Sequence, residues 1–316
     1  MSDLVEGRLV RIEPRAFTVD VDGREIPCSL KPKLFTPDRR AKTPVAVGDR
    51  VKIRIEGERG VIDEVLPRRN ALLRPGGRGK AEVQITAVNV DQLLIVVATK
   101  DPPPRAGLID RYLIASERNG MDAVLVINKC DQGVSDELRA ALASYEAMGY
   151  AVCLTSALER SGIDALIERL RDKTSLFVGH SGVGKSSLLN AIDPTLQLAT
   201  GGLAKHGRGR HTTTSVSLTR LACGGHLIDS PGIRAFGLHD IPKGELALLM
   251  PDLRPYASDC KYSDCSHDHE PGCALRAAVE RGEVPRSRYD GYVRILHSLD
   301  GGDGGDEDDE GPTLGD

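Results

Sequence analysis

Gly179-His180-Ser181-Gly182-Val183-Gly184-Lys185-Ser186 has the spacing G-x-x-x-x-G-K-[ST]. Those residue types in that order suit one task, the holding of phosphates. Glycines let successive backbone N–H groups turn toward the oxyanions, and a helix starting at the end of the loop adds its dipole. Lys185 is placed to reach the β- and γ-phosphates and Ser186 to ligate Mg2+, with Ser187 following in the first turn. The required context is present: the apolar run Leu176–Val178 precedes the loop and the helix-compatible stretch Ser187–Ile192 follows it. The alternative is a glycine-rich turn without a ligand.

A phosphate loop does not choose a base, but Asn128-Lys129-Cys130-Asp131 does. It closes the apolar run Ala123–Ile127, and so is expected at the carboxyl end of a strand, where open α/β sheets bind ligands. The Asp131 carboxylate can accept from N1–H and the 2-amino group of guanine, a donor pair adenine lacks. Asn128 can bond the base edge and the phosphate-loop backbone, and Lys129 can lie over the ring. Thr155-Ser156-Ala157, after the run Val152–Leu154, matches a further guanine-site element in which a backbone N–H meets O6. Asp229-Ser230-Pro231-Gly232 completes the set, with Asp229 expected on Mg2+ through water and the Gly232 N–H on the γ-phosphate. Thr212-Thr213-Thr214 offers a threonine for Mg2+ and the γ-phosphate; Thr213 is favoured, although spacing does not single it out.

The motifs run in a permuted order, since ordinary G domains place N-K-x-D and S-A last. The site tolerates this because each motif sits on a loop at the carboxyl end of a strand, so its geometry depends on strand adjacency. The position after D-x-x-G, often a water-orienting Gln, is Ile233. Intrinsic GTP hydrolysis is therefore expected to be slow. His211, beside the switch threonines, is the nearest substitute in sequence; its alternative is a solvent-exposed loop residue or an RNA contact. Arg208 and Arg210 are candidate phosphate or RNA ligands in the same stretch. The segment after Gly232 leads into a Cys/His-rich region, which is expected to read the nucleotide state.

That region holds Cys260, Cys265, His267 and Cys273, spaced C-x4-C-x-H-x5-C. Three thiolates and an imidazole suit a closed, tetrahedral, structural Zn2+ site, and four ligands leave no open position for catalysis. His269 is a rival to His267, and the plain alternative is a set of free buried cysteines.

Elements must position these residues. Val5–Arg11, Phe17–Val21, Val51–Ile55 and Gly60–Val65 alternate or carry β-branched residues, with Asp22-Gly23 as a turn, and predict a small β-barrel over 1–68. Arg68–Lys80 carries five bases and no acid and reads as a basic linker, taken as 69–82. From 83 to 237 the apolar runs, including Leu93–Ala98 and Leu227–Ile228, alternate with helical stretches at Leu108–Arg118, Ser135–Met148 and Ile163–Arg171. That pattern predicts a doubly wound parallel sheet. Residues 238–299 read as a mostly helical metal-binding domain. In its last helical stretch, Arg286–Leu299, Arg286, Arg288, Tyr289, Tyr292 and Arg294 suit RNA contact; alternatively Tyr289, Tyr292, Val293 and Leu296, which recur at helical spacing, pack inward.

The formal charge of −4 arises from the end of the chain: eight acids and no base from Asp300 onward. The remaining 42 bases and 38 acids give a body charge of +4. Residues 300–316 are expected to be a disordered acidic tail. Residues 1–66 hold 13 bases and 12 acids, hardly a basic domain. No apolar run reaches the roughly 18 residues of a membrane span, and no secretory leader is evident. A soluble, cytoplasmic, monomeric protein is expected.

The permuted motifs, Val47-Gly48-Asp49-Arg50-Val51, Ala87-Val88-Asn89-Val90-Asp91, Gly209-Arg210-His211-Thr212-Thr213-Thr214 and the Cys/His cluster together resemble the circularly permuted ribosome-assembly GTPases. The resemblance is strongest to those that depend on the small ribosomal subunit, and covers nearly the whole chain except the acidic tail. It implies an RNA-binding OB-fold, a permuted P-loop G domain and a C-terminal zinc domain with His267 as the fourth ligand. It also implies a catalytic histidine in the switch, with Thr213 and Lys185 beside it. The implied activity is GTP hydrolysis to GDP and phosphate, stimulated by the small subunit and its rRNA late in subunit maturation. The alternatives are a nucleotide-gated RNA-binding module and a large-subunit assembly GTPase.

Overall fold

The computed structural model describes residues 4–13, 16–34, 44–75, 83–198, 216–229, 238, 241–299 and 311–314. In chain order the elements are β1 (Leu4–Glu13), β2 (Ala16–Val21), β3 (Arg24–Leu30), β4 (Arg50–Glu56), β5 (Arg59–Val65), β6 (Ala71–Pro75), β7 (Val83–Val88) and β8 (Gln92–Ala98). There follow α1 (Ala106–Asn119), β9 (Asp122–Asn128), α2 (Asp136–Ala147), β10 (Ala151–Leu154), α3 (Ile163–Leu170), β11 (Thr174–Val178) and α4 (Lys185–Ile192). The last are β12 (Ser217–Arg220), β13 (His226–Asp229), α5 (Lys243–Leu246), α6 (Arg254–Ala257), α7 (Ala274–Glu280) and α8 (Arg286–Ser298). They form two compact units. One comprises Met1–Leu94, Gly162–Val178 and Lys185–Phe236; the other comprises Ile95–Ser161, Gly179–Gly184 and Gly237–Asp316.

In the first unit, β1 to β5 close a five-stranded OB-type barrel. β1 pairs with β2 and β4, β2 with β3, β3 with β5 in parallel, and β4 with β5. Closure leaves the barrel no free edge. One strand serves two partners because β1 carries an irregularity between Leu9 and Arg11: Leu4–Arg8 face β4, and Arg8–Glu13 face β2. Alternate residues point inward, and Leu9, Phe17, Val19, Ile26, Val51, Ile53 and Ile62 form the core. β3 is not among the strands expected from the sequence; Pro27 lies within it and pairs opposite Thr18.

The basic stretch after the barrel is not all connection. Its residues Ala71–Pro75 form β6, antiparallel to β7, with Leu72 buried. The two motifs Val47–Val51 and Ala87–Asp91 meet here. Val88 N–H donates to Val47 O at 2.9 Å, and Asn89 Nδ2 donates to Gly48 O at 3.1 Å. Fully buried Asp49 accepts from Arg68 Nε at 2.7 Å and Nη2 at 2.8 Å. A second attachment joins β1 to β12 at Arg11 opposite Ser217. Beside it, Asp20 faces His226 Nε2 at 3.2 Å and Arg220 at 3.5 Å. β12 runs antiparallel to β13, which runs parallel to β11.

In the second unit β9 and β10 are parallel, with Ile127 opposite Leu154, next to the fully buried apolar end of β8. The run Gln92–Ala98 is apolar throughout after Gln92 because both faces are covered. α1 buries Ile109, Leu113 and Ile114. α8 buries Tyr289, Tyr292, Ile295 and Leu296. A charged knot ties these helices together. Arg288 Nη1 lies 2.6 Å from Asp110 Oδ2, and its Nε lies 2.6 Å from Asp252 Oδ2. Tyr145 OH donates to Asp110 Oδ1 at 3.1 Å.

Within the stretch 300–316, expected to be a disordered tail, Gly311–Leu314 are described and are paired. Thr313 forms an antiparallel bridge with Arg105. Averaged composition hides this, because the run of acids ends at Glu310 and the uncharged Gly311-Pro312-Thr313-Leu314 follows before Asp316.

Candidate functional site

Asn128 and Thr155 leave β9 and β10 at the same edge, because those strands are parallel and in register. Buried Asn128 reaches both ways from there. Its Nδ2 donates to Val183 O at 2.9 Å, and its Oδ1 accepts from Ala157 N–H at 3.2 Å. One side chain thus joins the N-K-x-D stretch, the S-A loop and the phosphate loop. Of the backbone N–H groups in the Thr155-Ser156-Ala157 element, that of Ala157 is engaged by Asn128. Ser156 Oγ donates to Asp131 Oδ1 at 2.5 Å, which fixes the orientation of an exposed carboxylate. Cys130, between them, is turned away from the edge: its N–H bonds Thr155 O at 3.1 Å, and burial raises its thiol pKa.

Lys129 adopts a left-handed backbone conformation, φ 64°, uncommon for a residue with a side chain. Neighbours hold it there. Thr99 Oγ1 donates to Lys129 O at 3.0 Å, Thr99 N–H donates to Asn128 O at 3.1 Å, and the Lys129 ammonium donates to Asp101 O. The sequence reading missed Thr99 and Asp101. The only signal for them was Thr99-Lys100-Asp101-Pro102-Pro103-Pro104 at the end of an apolar strand.

The phosphate loop follows β11, and Lys185 and Ser186 open α4, with Ser187 next. At Gly184, φ is +94°, and a Cβ would stand 2.4 Å from Asn128 Nδ2. Only glycine lets the loop backbone pass beneath the asparagine that clasps it. Gly179, His180, Ser181, Gly182 and Val183 complete the loop. The backbone of Asp229 ends β13, one step beyond the pairing of Leu176 with Ile228, and so emerges beside the end of β11. Arg208, Arg210, His211, Thr212, Thr213, Thr214, Gly232 and Ile233 lie outside the described residues.

The second cluster is complete. One ligand atom from each of Cys260, Cys265, His267 and Cys273 lies within 4.8 Å of the others. Cys260 Sγ is 3.9 Å from Cys273 Sγ, close to the roughly 3.8 Å edge of a tetrahedron with 2.3 Å metal–sulfur bonds. His267 Nδ1 is 3.3 Å from Cys260 Sγ and 3.5 Å from Cys273 Sγ. Burial pushes the Cys265 thiol up to about 12 and lowers the His267 pKa. Packed thiols of this kind need a cation to become thiolates, so the donor set fits a metal ion. His269, with its side chain 82% exposed, stands outside the cluster.

The tyrosines of α8 support the cluster loop. Tyr289 OH donates to His267 O at 2.8 Å, and Tyr292 OH donates to Ser266 O at 2.6 Å. Both are buried, as is the Arg288 guanidinium. Of the two readings of this helix, inward packing holds for Tyr289, Tyr292 and Leu296. Arg286, paired with Asp290 at 2.9 Å, is exposed.

Comparison with known proteins places this arrangement. The sequence model of the RsgA GTPase family matches residues 65–239. The small ribosomal subunit biogenesis GTPase RsgA of Chlorobaculum tepidum is 37% identical over 95% of this chain and 99% of its own length. The protein of the same name from Chromohalobacter salexigens is 45% identical over 81% of this chain and 75% of its own length. Among solved structures, YjeQ from Thermotoga maritima matches with TM-score 0.76 and 35% identity, covering 95% of this chain and 99% of that one. YloQ, described as a circularly permuted GTPase, matches with TM-score 0.75 and 31% identity over 96% and 97%.

Proposed function

The chain belongs to the RsgA GTPase family, and from that premise we propose that it hydrolyses GTP while bound to the small ribosomal subunit during late maturation of that subunit. The observation that carries the reading is the placement of Asn128 between Val183 and Ala157. It joins the base-selecting and phosphate-holding motifs of a G domain despite their permuted order.

In this reading Asp131 accepts from the guanine edge, Lys129 covers the ring, and Ser156 and Ala157 shape the pocket behind O6. The backbone from Gly179 to Gly184 wraps the phosphates, and Lys185 neutralises the β- and γ-oxygens. Ser186, Asp229 and Thr213 would hold Mg2+, which supplies charge neutralisation between those phosphates. Ile233 cannot orient water, so basal turnover is slow, and His211 takes the water-positioning role when the protein is bound to the subunit. The Cys260, Cys265, His267 and Cys273 set takes Zn2+ as a structural ion, leaving the metal no catalytic part. The OB barrel contacts rRNA. We place the protein in the cytoplasm as a monomer.

Multiple-turnover GTPase assays with and without purified small subunits test the proposal. The expected result is stimulation of at least about tenfold, a barrier change near 1.4 kcal/mol. Equal rates overturn it. Full stimulation retained by His211→Ala removes His211 from the mechanism.

A further inference from the structure

The seven residues between β8 and α1 touch the guanine site at one end and the end of the chain at the other. At the near end, Thr99 and the Asp101 carbonyl hold Lys129. Pro102 lies against the phosphate loop, its Cδ 3.6 Å from where a Cβ on Gly182 would stand. At the far end, Leu314 N–H donates to Pro104 O at 2.8 Å, and Ala106 N–H donates to Pro312 O at 3.2 Å. Arg105 Nη1 adds a bond to Gly311 O at 3.3 Å. Pro102, Pro103 and Pro104 lie between the two ends. Proline fixes φ near −65° and has no N–H, so this stretch is stiff and cannot brace itself with its own amide donors.

Gly311 is built for this contact. Its φ is +73°, and an added Cβ would stand 3.3 Å from Arg294 Nη2 and 3.5 Å from the Gly107 nitrogen. The left-handed backbone at this position favours glycine.

We propose that Gly311–Leu314 is a backbone clip that positions Lys129 through the 99–105 loop and so sets how tightly guanine nucleotide is held. The inference rests on the guanine-site reading given above and adds a positioning element that the nucleotide motifs do not contain. With the clip engaged, Pro104 is fixed from outside, the Asp101 carbonyl is held toward the Lys129 ammonium, and that side chain is kept over the base. With the clip released, the loop keeps only its Thr99 end, and Lys129 loses the acceptor that directs it.

The test uses the full chain and a fluorescent GDP analogue, with dissociation rate and Kd as readouts. Leu314→Pro deletes the N–H that bonds Pro104; Leu314→Ala keeps it; a chain ending at Glu310 removes the clip outright. Leu314→Pro and the shortened chain are expected to raise Kd and off-rate about threefold to tenfold, the range that one or two lost backbone hydrogen bonds span. Leu314→Ala stays within about twofold of the parent, since its backbone bonds are intact. In a Lys129→Ala background the effect of Leu314→Pro disappears, because both substitutions remove one interaction and are not additive. Parent-like off-rates in both clip variants overturn the proposal while leaving the guanine site standing. So does an undiminished effect without Lys129. A parent chain that fails to bind guanine nucleotide removes the underlying reading, and the clip with it.

Discussion

Phosphate, guanine and metal each demand particular atoms at short spacing. Asp131 illustrates this. Ser156 donates to its carboxylate, and a carboxylate is the side-chain group that can accept from two adjacent N–H donors. Asp131→Asn is expected to lower GDP affinity and raise that for xanthosine diphosphate, shifting the preference by on the order of a hundredfold, about 2.7 kcal/mol; competition binding between the two nucleotides measures it. The metal set yields a second expectation. Cys265→Ser leaves two thiols and an imidazole, so metal content per chain should fall below about half and the melting midpoint with it. What the sequence concealed at this scale is support. Nothing in Arg286–Leu299 distinguishes a tyrosine that donates to His267 O from one that would stack on RNA. The difference is set by Asp110 and Asp252, which are distant in sequence and hold Arg288 in the interior. Burial opposes the Arg288 charge, but the two carboxylates outweigh it and raise its pKa. Arg288→Ala takes the cation from buried Asp110, leaving it the Tyr145 hydroxyl, and should cost about 3–5 kcal/mol of unfolding free energy in urea titrations.

Elements were legible where their periodicity was undisturbed. Ala123–Ile127 and Leu93–Ala98 are apolar runs of strand length, and each lies inside an observed strand. Leu108–Arg118 lies inside α1. The misses have local causes: Pro27 inside β3, and arginines masking the strand Ala71–Pro75. In both, the partner strand supplies the reason for the fold, and a partner is invisible in a local window. The phosphate loop carries the sharpest element-scale prediction. Gly184→Ala forces a Cβ to 2.4 Å from Asn128 Nδ2 at a φ that favours glycine. Asn128 must leave Val183, so affinity for both GDP and GTP analogues should fall by at least about tenfold. Thermal melting should change little in comparison, which isothermal titration and calorimetry on one sample can separate.

Over the whole molecule, the sequence announced separate functional regions but not how the barrel is fastened. Val47–Val51 and Ala87–Asp91 stood out as motifs without a chemical role; they are the two halves of a joint. The other fastening is titratable. Burial lowers the His226 pKa, Asp20 partly restores it, and Arg8 and Arg220 push it down further. The folded ring is therefore a weaker base than the unfolded one, whose ordinary value is 6.5. As pH falls through that value the unfolded chain takes up the proton first, and stability drops until the folded ring titrates too. Melting midpoints between pH 7.5 and 5.5 should fall less steeply in His226→Gln than in the parent. Two separate fastenings also have a mechanical consequence. A body pinned at one point swivels, whereas a body pinned at two transmits torque. Whatever grips the outer wall of the barrel therefore also turns β12 and β13, the strands that flank the candidate magnesium residues, with the barrel as the long arm of a lever.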